Sequence, residues 1–150
     1  MPELSPDLSP KQIAQRVRDA MLANDRASRM MGIAIIDVGP GHAVAQMAVR
    51  ADMLNGHDIC HGGFVTTLAD SAFAFACNSR NEVTVASGFA IDLLIASREG
   101  DVLTASCTET SKSGRTGVYD VEVVNQLGQR VAVFRGRSYS ARGKTVVDLG

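Results

Sequence analysis

Residues 62–78 form a helix-length run that is apolar on nearly every side, opens on the pair Gly62-Gly63 and carries one carboxylate, Asp70. A helix with no polar face must be wrapped by other parts of its chain. Asp70 adds a second constraint, because burying a carboxylate costs on the order of several kcal/mol unless it is hydrogen-bonded or paired. It therefore has either a local partner, for which the hydroxyls of Thr67 and Ser71 are the candidates, or a chemical role.

The rest of the chain supplies the wrapping. Ser9-Pro10 is a cap followed by proline at a first helical position, and Ile13, Val17, Ala20 and Met21 follow at helical spacing, which predicts a helix over 10–24. Residues 32–37 and 42–50 read as a hairpin around Val38-Gly39-Pro40-Gly41, and Asn55-Gly56-His57-Asp58 has loop chemistry. Segments 83–96, 102–112, 117–125 and 130–140 carry β-branched or alternating patterns, cleanest in Tyr119-Asp120-Val121-Glu122-Val123. Strands that follow one another without crossover helices imply an antiparallel sheet. One apolar helix on its face makes an α+β domain, and an antiparallel sheet wrapped around one long central helix is the hotdog fold.

Length and composition bound the function. The chain has 150 residues, 45% of them hydrophobic, enough for one domain with a real core. Its net charge of −1, with basic residues scattered, provides no field for a nucleic-acid backbone or an anionic membrane. No apolar run reaches membrane-spanning length. Cys60, Cys77 and Cys107 are three cysteines without paired spacing, which points to a reducing, cytoplasmic compartment. The expected partner is a small molecule. His57, Cys60 and His61 fall together, but three ligand types in a glycine-flanked loop do not make a metal motif, and no metal is expected. No Gly-x-Ser-x-Gly elbow occurs, so any catalysis should rest on a carboxylate.

Asn55-Gly56, His61-Gly62-Gly63, Asp70, Ser87-Gly88 and the run from Gly114-Arg115-Thr116-Gly117 to Val121 together resemble the hotdog-fold acyl-CoA thioesterases, in particular the phenylacetic acid degradation (PaaI-type) branch. The resemblance extends over about residues 30–141 and rests on the joint spacing of Asn55, Gly62 and Asp70. It implies hydrolysis of an acyl-CoA thioester with no metal or organic cofactor, by homodimers that pair into homotetramers. Phenylacetyl-CoA or a ring-hydroxylated form is the substrate it suggests. On this basis the chain divides into an N-terminal arm and short helix (1–28), a hotdog thioesterase domain (29–143) and a C-terminal tail (144–150). One departure stands out: Asp92-Leu93-Leu94-Ile95-Ala96 lies where the family commonly has an Asp-Phe-Leu-Arg-Pro-like run.

Chemistry assigns the roles. The backbone N–H groups of Gly62 and Gly63 sit at the positive end of a helix and suit an oxyanion hole. Asn55 adds a donor or orients the thioester. Asp70 is either the general base that activates water or the nucleophile that forms a mixed anhydride. The family likeness gives Ser87 the attacking water or the Asp70 carboxylate to hold. His61 fixes the loop before the helix and borders the substrate, Phe64 shapes the acyl pocket, and Lys112 and Arg115, with Arg135 and Arg137 behind them, are the cations placed to meet CoA phosphates. Gly62 and Asp70 are eight positions apart, roughly 12 Å along a helix, too far for one thioester to touch both. A two-fold pairing with antiparallel helices would join Gly62 of one subunit to Asp70 of the other. A hotdog enoyl-CoA hydratase and a noncatalytic acyl-CoA-binding protein are the alternatives; the first needs an Asp–His pair and the second normally carries a DNA-binding module.

Overall fold

The computed structural model describes residues 7–150, so the first six residues of the 1–28 arm lie outside the described residues. Helix α1 (Pro10–Asn24) starts on a reciprocal capping box: the Ser9 hydroxyl accepts the Gln12 N–H at 3.1 Å and Gln12 Oε1 accepts the Ser9 N–H at 2.8 Å. Two donors at the helix start are thereby satisfied. A second helix, α2 (Arg26–Met30), departs from the sequence expectation. The Asp25 carboxylate starts it, accepting the Ser28 N–H at 2.9 Å and the Ser28 hydroxyl at 2.6 Å. Five residues are too few to show a hydrophobic period, so only the cap could have announced it.

Strands β1 (Ala34–Gly39) and β2 (His42–Ala48) form the expected hairpin, with Gly41 at φ +69° in its turn. After a short 3-10 turn (Ala51–Met53) and a closed loop come α3 (Gly62–Cys77), β3 (Thr84–Leu93), β4 (Val102–Ser113), β5 (Thr116–Val124) and β6 (Arg130–Ser140). The six strands make one antiparallel sheet in the order β1-β2-β4-β5-β6-β3, with α3 laid across one face over β2, β4 and β5. This is the hotdog fold.

Size complementarity lets the helix sit close. Ala69, Ala72 and Ala76 of α3 and Ala43, Ala45 and Ala105 of the sheet are all fully buried. The gaps between them are filled by large groups, Leu68, Phe73, Phe75 and Tyr119. Phe73 lies 5.4 Å from Tyr119 and 5.8 Å from Phe134, ring centre to ring centre. Gly136 makes room for it: a Cβ there would stand 2.9 Å from the Phe73 ring.

Strand β3 departs from this pattern. Only Thr84 of its ten residues is buried, among the described residues it pairs on one side alone, with β6, and Val85, Phe89, Leu93 and the following Leu94 and Ile95 are each 41–59% exposed. A long, apolar, unpaired edge is a ready surface for another strand.

Candidate active site

The loop before α3 is built by Asn55. Its N–H donates to Ile59 O at 2.8 Å, its C=O accepts the Asp58 N–H at 3.0 Å, and its side-chain Oδ1 accepts the His57 N–H at 2.9 Å. Only the oxygen of an amide can accept, so these bonds fix its orientation and leave the NH2 group with no acceptor among the described residues. The loop's far end is held by His61 N–H to Met53 O and Cys60 N–H to Ser97 O, both 2.8 Å.

His61 then caps α3, its Nδ1 accepting the Gly63 N–H at 3.0 Å while its C=O accepts the Phe64 N–H at 3.0 Å. Its ring also meets the Phe64 ring edge to face, 6.3 Å between centres. The two glycines therefore divide the role expected of both. The Gly63 amide is committed to His61, and the Gly62 N–H has no acceptor among the described residues, at the positive end of the helix. Gly62, Asn55, Cys60 and segment 93–97 line a cleft of about 320 Å³. Leu93 leaves no room for a side chain at Gly62, where a Cβ would stand 2.5 Å from Leu93 Cδ1. Burial pushes the Cys60 thiol up, so it walls the cleft as an unreactive SH group.

Asp70 lies two helical turns further along α3, half-buried, with neither hydrogen bond nor ion pair among the described residues. The local-partner reading is overturned: Thr67 Oγ1 donates to Gly63 O at 2.9 Å and Ser71 Oγ to Thr67 O at 2.8 Å, each to a carbonyl four residues back. Burial without a partner pushes the Asp70 carboxyl above the ordinary range. Within one chain Asp70 does not line the Gly62 cleft.

Ser87 is in a third place. It is the bulged residue between Ala86 and Gly88, its Oγ donating to Arg137 O at 3.2 Å, and it lines a separate groove of about 260 Å³ with Ser111, Ser113, Thr116, Ser138 and Arg137. The Arg137 guanidinium lies over Gly88, where a Cβ would meet Nη2 at 2.5 Å. At the nearby β4–β5 turn, Lys112 Nζ donates to Gly114 O at 3.3 Å and Arg115 Nη1 to Tyr139 Oη at 3.2 Å. Neither has a carboxylate partner among the described residues. Arg135, by contrast, is committed to Asp120 through bonds of 2.8 and 3.0 Å, and that hydrogen-bonded pairing holds the Asp120 carboxyl below its usual range. Leu68, Phe73 and Met53 belong to the core, whereas the rings of Phe64, Phe89 and Tyr139 reach the surface near these sites.

Residues 57–145, which include Gly62, Asp70, Ser87, Lys112 and Arg115 but not Asn55, match the thioesterase superfamily. The chain is 48% identical over 124 residues to acyl-coenzyme A thioesterase PaaI of Escherichia coli (strain K12), an overlap covering 83% of this chain and 89% of that protein. It belongs to the thioesterase superfamily. This thioesterase also superimposes on the solved structure of the E. coli PaaI protein from the phenylacetic acid degradation operon, with a TM-score of 0.89 and 46% identity over 91% of this chain and 99% of that one. A mutant of the phenylacetic acid degradation protein PaaI from Thermus thermophilus is similar as well, at a TM-score of 0.75 and 38% identity, over 78% of this chain and 100% of that one.

Proposed function

We propose that this thioesterase hydrolyses the thioester of an aryl-acyl-CoA, phenylacetyl-CoA or a hydroxylated derivative, to the free acid and CoA. One observation carries the reading: the Gly62 N–H and the Asn55 NH2 are donors without acceptors among the described residues, beside a cleft walled mainly by Ile59, Leu93, Leu94, Ile95 and Ala96. They fit a carbonyl oxygen that becomes an oxyanion. Water adds to the thioester carbon, the C–S bond breaks, and the water proton passes by way of Asp70 to the departing thiolate. In the nucleophilic variant Asp70 itself adds to the carbon, the C–S bond breaks to release the CoA thiolate, and water then hydrolyses the mixed anhydride to the free acid and the Asp70 carboxylate, its remaining proton going to the thiolate.

Asp70 and Gly62 of one chain are about 12 Å apart along the helix, so the working site joins Gly62 of one subunit to Asp70 of another. The open edge of β3 supports this, since chains joined there as a two-fold homodimer can bring their helices side by side in opposite directions. Two such dimers make the homotetramer. Lys112, Arg115 and Arg137, around the hydroxyl-lined groove that holds Ser87, are the cations that meet the CoA phosphates. Ser87 then belongs to the substrate's approach. A cytoplasmic setting is supported by three buried free thiols; among the described residues no helix is long and apolar enough to cross a membrane. The hydratase alternative loses support because the histidine nearest the helix, His61, has its Nδ1 bound to the Gly63 amide.

Release of free CoA from a panel of aryl and aliphatic acyl-CoAs tests the proposal. Turnover is expected, with aryl substrates fastest. A panel that binds without releasing CoA overturns it in favour of a binding protein.

A further inference from the structure

We propose that the Ser97 hydroxyl is a third donor of the Gly62 cleft, hydrogen-bonding a carbonyl oxygen of the bound substrate; this rests on the acyl-CoA reading above. Ser97 ends the segment that walls the cleft. It is 3% exposed, and its Oγ is the one buried side-chain polar atom among the described residues without a hydrogen-bond partner. A buried hydroxyl left unpaired is a standing cost to the fold, and such groups are rare enough that each calls for a reason. Of the residues that line the cleft with Ser97, Ile59, Leu93, Leu94, Ile95 and Ala96 carry only aliphatic side chains, and neither Asn55 nor Cys60 makes a hydrogen bond to its hydroxyl.

The position of Ser97 is tied to the reacting centre. Its C=O accepts the Cys60 N–H at 2.8 Å, two residues before Gly62, so the segment after β3 that holds the serine is tied to the loop that leads into Gly62. Three groups of the cleft, Gly62 N–H, Asn55 NH2 and Ser97 O–H, then lack an acceptor from the described residues. A ligand that completes them is rich in acceptors. An acyl-CoA brings its thioester carbonyl and the amide carbonyls of its pantetheine arm, and a turn of the buried Ser97 hydroxyl about χ1 between staggered wells is the movement by which it would meet one of them.

The test compares Ser97→Ala with wild type on an acyl-CoA and on the ethanethiol ester of the same acid, which lacks the arm amides. The variant is expected to keep or raise Tm, because it deletes an unpaired hydroxyl, while kcat/KM for the acyl-CoA falls about 3- to 10-fold, the effect of one neutral hydrogen bond. A fall in kcat with both substrates assigns the thioester carbonyl. A fall with the acyl-CoA alone, through KM, assigns an arm amide. Unchanged kinetics on both substrates overturn the proposal, and a lower Tm with unchanged kinetics does so too, giving the hydroxyl to a structural water. Asn55→Ala, measured in parallel, separates the two levels of inference. If it abolishes turnover while Ser97→Ala does nothing, only the role of Ser97 fails; if neither variant affects turnover, the cleft is not the active site.

Discussion

At Asp70 burial raises the free energy of the ionised carboxylate, and no partner among the described residues offsets it. The sign of the pH dependence follows. A carboxyl whose folded pKa lies above its unfolded value leaves stability undiminished below the unfolded value, about 4, and subtracts from it as pH rises through the folded value. Asp70→Asn is therefore expected to unfold at a higher temperature than wild type at about pH 7, with that gain shrinking toward about pH 3.5. The same substitution removes the base or nucleophile, so turnover should drop by at least about 100-fold. Thermal unfolding at the two pH values and CoA release from the folded variant check both halves. Near-wild-type hydrolysis would remove Asp70 from the chemistry.

At the scale of elements, the site depends on how the start of α3 meets the end of β3. His61 takes the Gly63 amide, Leu93 lies over Gly62, and the Gly62 N–H is left for substrate. A methyl group in Gly62→Ala would collide with Leu93, but that side chain is half exposed at a strand end and can swing away. The stability cost should stay under about 1 kcal/mol, while kcat/KM falls roughly 10-fold or more through crowding of the oxyanion donor. Denaturant titration paired with steady-state kinetics decides the point: a collapse in stability, with the remaining folded molecules fully active, makes the glycine structural. The motif His61-Gly62-Gly63 was legible in the sequence as a helix start with spare amides. Which amide stays spare was not, because that choice is made by a side-chain rotamer of His61.

For the whole molecule, the geometry within one chain sets the experiment. Asp70→Asn and Gly62→Val variants, each inactive as a homodimer, should recover activity when their subunits exchange. A mixed dimer holds one site with both lesions and one with neither, so about half the wild-type rate per mixed dimer is expected from two-fold symmetry. Mass spectrometry establishes the exchange. If mixed dimers form and remain inactive, and Asn55→Ala paired with Asp70→Asn also fails, the shared-site arrangement falls.

Periodicity and cap chemistry along the chain determined the elements of this protein. The all-round apolar run, the turn between β1 and β2, the alternation in β5 and the Ser9 cap each depend on neighbours a few residues apart, so the helix over 10–24, the strands and the antiparallel α+β character were readable from local order alone. The family resemblance carried by Asn55, Gly62 and Asp70 named the candidate site, and the eight-residue separation of Gly62 from Asp70 divided it into two halves. Tertiary structure decided what depends on distant partners. Arg135 is bound by Asp120 across the sheet, Ser87 is turned by a bulge toward the hydroxyl-lined groove, and the Ser97 hydroxyl is buried without a partner at a cleft lined mainly by aliphatic side chains. Hydrogen bonds and burial at these residues join segments that the sequence keeps apart, and no local pattern encodes which of them will meet.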